Sequence, residues 1–202
     1  MTLNNGSPIR IEQHRVLIMA GTRPEIIKLA PVYLALQDFD CFAPLFISTG
    51  QHLELLEDAL LPFDLQLDGN FRIMNEANSL DRVMSLTLAK SSELFAKENP
   101  AAVIVQGDTS TATSVAICAY NNKIPVAHVE AGLRTNDLKS PWPEEGFRRM
   151  VTQIANIHFA PTLTAQENLI KENKKKENII VTGNTVIDAL LYSVDKVNSN
   201  FK

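Results

Sequence analysis

Residues 101–129, AAVIVQGDTSTATSVAICAYNNKIPVAHV, decide the fold. An apolar run at 101–106 ends at Gly107, a helical stretch follows over 110–121, and a second short apolar run stands at 125–129. Runs this short and continuously apolar suit strands buried on both faces, and a helix between two of them makes a β-α-β unit of a parallel sheet. The pattern continues outward in both directions. Further strands are expected at 15–20, 43–48, 157–160 and 178–181, and further helices near 24–37, 53–61, 79–97, 145–155, 164–172 and 185–195. The reading is therefore α/β, a Rossmann-like three-layer parallel sheet with helices on both faces. Thr22 with Glu25, Asn78 with Asp81, and Thr164 with Glu167 offer helix-start signals.

Composition narrows the function classes. The chain has 202 residues, 45% hydrophobic and 21% charged, which is enough to bury a core without disulfide or metal staples. Nineteen Lys and Arg against 23 Asp and Glu give a formal charge of −4, so nucleic acid is not the expected partner. The one basic run, Lys174-Lys175-Lys176 between Asn173 and Glu177, reads as a solvated loop. Residues 1–13 are polar and read as a disordered leader, and no apolar stretch is long enough for a signal or a membrane span. Cys41 and Cys118, each in an apolar stretch and far apart, read as reduced core residues of a cytoplasmic protein.

In parallel sheets ligands bind at the carboxyl ends of the strands. Gly21-Thr22-Arg23-Pro24-Glu25 follows the first strand, with Lys28 one helical turn on. Arg23 and the N–H groups of residues 22–25 suit an anion, although a plain capped turn fits the spacing equally well. The loop matches neither GxGxxG nor GxxxxGK[ST]. Asp108, after the strand at 101–106, is a candidate catalytic carboxylate, but spacing alone favours it as an N-cap. Alternation puts His128 and Glu130 on one face of the next strand, with Arg134 a candidate partner for the charge and His128 a satisfied core histidine. Trp142 stands between two prolines in SPWPEEGFRR (140–149), where Glu144 and Glu145 open a helix. Thr49-Gly50-Gln51-His52 is a further polar turn. Asp108, Glu130 and Glu144 thus fall at successive strand ends of one sheet edge, with Arg23 opposite. That constellation fits proton transfer beside a phosphorylated leaving group.

The strings GTRPEIIKLAP (21–31), TGQH (49–52), QGDTSTA (106–112), PVAHVEAGLRT (125–135), SPWPEE (140–145) with Arg148, and TGNTVIDAL (182–190) together resemble the non-hydrolysing UDP-N-acetylglucosamine 2-epimerase family. The match runs in order from about residue 15 to the end, and the proline after GTR separates it from the hydrolysing relatives. The resemblance implies the N-terminal domain of a two-domain fold of the nucleotide-sugar glycosyltransferase kind, over 14–184, with 185–202 a helix leading toward a second domain. It implies reversible C2 epimerisation of UDP-N-acetylglucosamine to UDP-N-acetylmannosamine, by elimination of UDP to a 2-acetamidoglucal and re-addition, without metal or cofactor. Its catalytic carboxylates fall on Asp108, Glu130 and Glu144; its substrate contacts fall on Arg23, Lys28, Gln51, His52, Arg134 and Arg148. UDP-N-acetylglucosamine and UDP are the implied partners, with a homodimer in the full-length form and neither nucleic acid nor membrane. Gln106 and Phe147 depart from the His and Asn that many relatives carry there.

Two other classes share this fold, a nucleotide-sugar glycosyltransferase and a non-catalytic sugar-nucleotide-binding module. The trio of acids favours the epimerase, which alone would isomerise the nucleotide sugar without an acceptor. By itself the 202-residue chain is expected to fold, to bind UDP weakly and to turn over nothing, since half a cleft leaves the site in water.

Overall fold

The computed structural model describes residues 13–50 and 53–200. Seven parallel strands form a single sheet there: β1 (His14–Ala20), β2 (Phe42–Ser48), β3 (Gly69–Asn70), β4 (Ala102–Gln106), β5 (Val126–Val129), β6 (Ile157–Ala160) and β7 (Ile179–Val181). Their order is β3-β2-β1-β4-β5-β6-β7. The helices are α1 (Arg23–Gln37), α2 (Leu53–Leu60), α3 (Leu80–Glu98), α4 (Ser110–Asn121), α5 (Glu144–Ile154), α6 (Leu163–Lys171) and α7 (Thr185–Asn200). The α/β expectation holds, with one strand more than the sequence suggests. β3 is only two residues, Gly69 and Asn70, paired with Ile47 and Ser48 at the sheet edge. So short a strand of small and polar residues carries no apolar run to read.

Period-2 alternation sorts the strand residues between two cores. On one face Ile18, Phe46, Ile104 and Val129 pack with Ile26 and Leu29 of α1. On the other, Leu17, Met19, Val103 and Val105 pack with Val115 and Ala119 of α4, Phe95 of α3 and Val151 of α5. Each large side chain so buried contributes about 1.5–3 kcal/mol, which is why both faces must be covered. Cys118 lies in the second core, whereas Cys41 is only half-buried, just ahead of β2. α7 folds back on this sheet: Ala189 is buried in the α1 core, Tyr192 stacks on Phe63 with ring centroids 5.4 Å apart, and Lys196 pairs with Asp64 at 2.5 Å.

Two helix starts move relative to the sequence signals. Ser79, not Asn78, caps α3 by accepting from the Arg82 N–H, and Thr162, not Thr164, caps α6 by accepting from Ala165. A cap needs extended backbone, which Ser79 and Thr162 adopt at φ −152° and −146°. Neighbouring hydroxyl and amide residues compete for that place, and spacing does not choose among them. No helix among the described residues is long and apolar enough to cross a membrane.

The strand order reverses direction between β1 and β4, so their carboxyl ends flank a crevice. Gly21 is wedged there. A Cβ on it would meet Thr111 Oγ1 at 2.1 Å and Thr49 Oγ1 at 2.9 Å. Gly21→Ala is therefore expected to destabilise the chain by about 1–3 kcal/mol through overpacking. Gly146 is helical with nothing within 4 Å of its added Cβ, so Gly146→Ala is expected to stabilise by about 0.5–1 kcal/mol. Urea denaturation of the two variants checks both signs.

Candidate active site

The site begins with the turns that leave β1 and β4. Glu25, in the first turn of α1, is buried at 1% exposure. Its Oε2 accepts from the Gly21 N–H at 2.8 Å and the Thr22 N–H at 2.6 Å, and its Oε1 accepts from the Thr109 hydroxyl at 2.6 Å. One carboxylate thus joins the turn after β1 to the turn after β4. Burial raises its pKa, against the lowering effect of these hydrogen bonds. The anion nest expected over residues 22–25 is smaller than the sequence implies. The Thr22 N–H is taken by Glu25, and Pro24 has none. Arg23 itself is exposed at the mouth of this turn.

Asp108 is not the N-cap that spacing favours. Thr109 caps α4 by accepting from the Ala112 N–H at 3.1 Å, which leaves Asp108 outside the helix. Its Oδ2 accepts from Arg148 Nη2. Burial still raises the Asp108 pKa despite Arg148, and the charges of Glu130 and Glu144 raise it further. Glu130 and Glu144 are therefore both within electrostatic reach of Asp108. Arg148 lies between two carboxylates, with Nη1 3.7 Å from Glu145 Oε2.

Glu130 follows β5 with φ +64°, in the left-handed region. This breaks the alternation expected to keep it with His128, and brings its carboxylate to α1. Lys28 Nζ lies 2.5 Å from Oε2, Gln106 Nε2 donates to the same oxygen, and Asn184 Nδ2 donates to Oε1 at 2.9 Å. Gln106 enters the site as a ligand of a matched acid. Asn184, in the turn after β7, was not among the candidate residues; its signal was the TGNT string, which has no chemical reading of its own.

Other candidates fall elsewhere. Arg134 is a correction: its side chain is 1% exposed and forks onto Glu172, Nε to Oε1 at 2.7 Å and Nη2 to Oε2 at 2.8 Å, with Thr152 Oγ1 accepting at 2.9 Å. It is the partner neither of Glu130 nor of His128, because the chain turns away after Gly132, and it ties α6 to α5. Glu145, buried, accepts from the Thr135 and Asn136 N–H groups and from Arg149 Nε at 2.8 Å. Burial opposes its ionisation, but these donors and Arg149 hold its pKa below the usual carboxylate range. Of the two adjacent glutamates, Glu145 builds the loop, and Glu144 is the one whose charge acts on Asp108. Gln51 and His52 lie outside the described residues. Among those described, no group of three His, Cys, Asp or Glu side chains is placed to hold a metal ion.

A parallel sheet of this order, with acids and cations gathered at the carboxyl edge beside its switch point, is the Rossmann-like class of α/β domain. Residues 35–202 match the family model described as UDP-N-acetylglucosamine 2-epimerase. The UDP-N-acetylglucosamine 2-epimerase of Campylobacter jejuni is 43% identical over 186 residues, which is 92% of this chain and 49% of that one. The Escherichia coli K12 relative of the same name is 43% identical over 188 residues, 93% of this chain and 50% of that one. The crystal structure of the Neisseria meningitidis UDP-GlcNAc 2-epimerase bound to UDP-GlcNAc superposes with a TM-score of 0.89 at 41% identity, over 91% of this chain and 50% of that one. The chain belongs to the UDP-N-acetylglucosamine 2-epimerase family. It spans about half the length of the curated relatives it matches.

Behind the site, His128 on β5 stands in register with His158 on β6, both 1% exposed. Burial holds each pKa down to about 4. A neutral His128 therefore donates from Nε2 to the Gly107 carbonyl at 2.7 Å, steadying the turn ahead of Asp108. The unfolded chain takes up these protons near pH 6.5 and the folded chain only near 4, so stability falls as pH drops between those values, by on the order of 3 kcal/mol per histidine. Glu25 and Asp108 act in the opposite sense, since folding raises their values and burial penalises their charged forms. His158→Gln separates the two effects. Its unfolding free energy is expected to decline less steeply than wild type between pH 7 and 5 by urea titration, and equal slopes would refute the assignment.

Proposed function

We propose that the protein carrying this chain interconverts UDP-N-acetylglucosamine and UDP-N-acetylmannosamine. The observation that carries the proposal is the convergence of Asp108, Glu130 and Glu144 with Lys28 and Arg148 at the carboxyl edge of a family member's sheet. In the elimination direction a base takes the C2 proton while the C1–O bond to UDP breaks, leaving the 2-acetamidoglucal. Re-addition of UDP and return of a proton to the other face of C2 give the epimer. Asp108, held at the crevice by Arg148 with the charges of Glu130 and Glu144 acting on it, suits a proton-transfer step, and Arg23 with Lys28 suits the departing diphosphate. The proposal also carries Gln51 and His52 as substrate contacts, a homodimer and a cytoplasmic location.

The test is run in D2O with UDP-N-acetylglucosamine. The chain is used alone and mixed with the separately produced half of the Campylobacter jejuni relative that it does not cover. The mixture is expected to form UDP-N-acetylmannosamine deuterated at C2, with no acceptor present, and Asp108→Asn is expected to lower that rate by at least ~10²-fold. A transfer product, or isomerisation without deuterium uptake, would defeat the proposal. In the chain alone, Arg23→Ala should weaken UDP binding by about tenfold at an unchanged melting temperature, measured by calorimetry. Undiminished binding would return residues 21–25 to a capped turn.

A further inference from the structure

We infer that Glu25 is a positioning residue that sets the place of Asp108, by clamping the turn after β1 to the turn after β4. The inference rests on Asp108 as the reacting acid of the proposed function. Glu25 touches no solvent-facing part of the crevice: it is 1% exposed, and its neighbours are the N–H groups of Gly21 and Thr22 and the hydroxyl of Thr109. Thr109 is the residue next to Asp108 and the cap of α4. Its hydroxyl therefore holds two elements at once, accepting from Ala112 and donating to Glu25. A second brace crosses the same crevice, where Thr49 Oγ1 lies 3.3 Å from Thr111 Oγ1, against Gly21.

An isolated buried carboxylate is costly, and a capping glutamate on an exposed helix start would do the local task at less expense. The burial makes sense when the oxygen not used by its own helix is spent on a partner 84 residues away. Asp108 then sits where Arg148 meets it and where the charges of Glu130 and Glu144 reach it. Loosening the Thr109 bond would let the 107–109 turn relax toward water. Asp108 would lose the burial that raises its pKa.

The geometry distinguishes positioning from charge. Both N–H donors meet Oε2, and the hydroxyl meets Oε1. In Glu25→Gln the side-chain carbonyl keeps both N–H bonds and the amide donates to the Thr109 oxygen, so the clamp survives without its charge. Glu25→Ala breaks the clamp alone, Thr109→Val breaks it together with the α4 cap, and Thr109→Ser preserves both. The readout is the Asp108 carboxyl titration, followed by carbon-detected NMR on the full chain below its melting temperature. Glu25→Ala and Thr109→Val are expected to move the midpoint down toward the ordinary aspartate range, while Glu25→Gln and Thr109→Ser leave it in place. Equal movement in Glu25→Gln and Glu25→Ala would make the effect one of charge and overturn the inference, as would no movement in Thr109→Val. If Glu25→Ala fails to fold, the Thr109 pair decides. The titration needs no ligand, so it judges Glu25 independently of whether the diphosphate reading holds.

Discussion

The buried carboxylate of Glu25 is the contact on which the rest of the site depends. Moving an ion of this kind out of water costs several kcal/mol even after relaxation, and its attraction to a counter-charge does not repay that here because its neighbours are two amides and a hydroxyl. Hydrogen bonds to a charged group return roughly 1.5–3 kcal/mol each, so they offset much of the loss, and burial still leaves the Glu25 pKa raised. The clamp is no source of stability. The outcome for geometry is large, because the two turns at the switch point are tied by bonds that work only in one arrangement.

Around that clamp the ion pairs divide into two sets. Arg134 with Glu172, and Glu145 with Arg149 and the 135–136 backbone, each bury one charged partner, Arg134 and Glu145, almost completely; they fix the loop between β5 and α5 and its contact with α6. Lys28 with Glu130 and Arg148 with Asp108 lie at the crevice, with side chains between 13% and 27% exposed. The first set gives a rigid frame whose removal would strand a buried charge. The second keeps its charges within reach of solvent, where an incoming molecule can exchange for one partner.

The apolar runs that became β1, β4 and β5 were readable because a strand buried on both faces must be apolar throughout, and the acids stood out because they end those runs. β3 was not readable, since two residues supply no period. Side-chain partnerships were also hidden. Arg134 finds Glu172 and Glu130 finds Asn184 across 38 and 54 residues, distances at which only tertiary packing decides who meets. Glu130 shows the local version of the limit: alternation assigns it to the face of His128, and a single left-handed residue overrides the alternation. The capping pair at Thr22 and Glu25 was legible as a helix start, yet its larger use depends on Thr109, which nothing in the local pattern announces.

The crevice is also constrained by how its charge is already spent. Lys28 lies on Glu130 and Arg148 on Asp108, so each cation is largely neutralised before any ligand arrives. Arg23 is exposed at the same edge, on the helix start whose dipole points its positive end outward. In the proposed reaction a diphosphate is therefore drawn first by Arg23, and it must share Lys28 with Glu130 to settle closer. Attraction by an exposed guanidinium is screened over about 8–10 Å at ordinary ionic strength, whereas the partly buried pair of Lys28 with Glu130 is screened less. Capture at the mouth should then depend on salt more than the inner contact does, and the inner contact is the one made beside the acids.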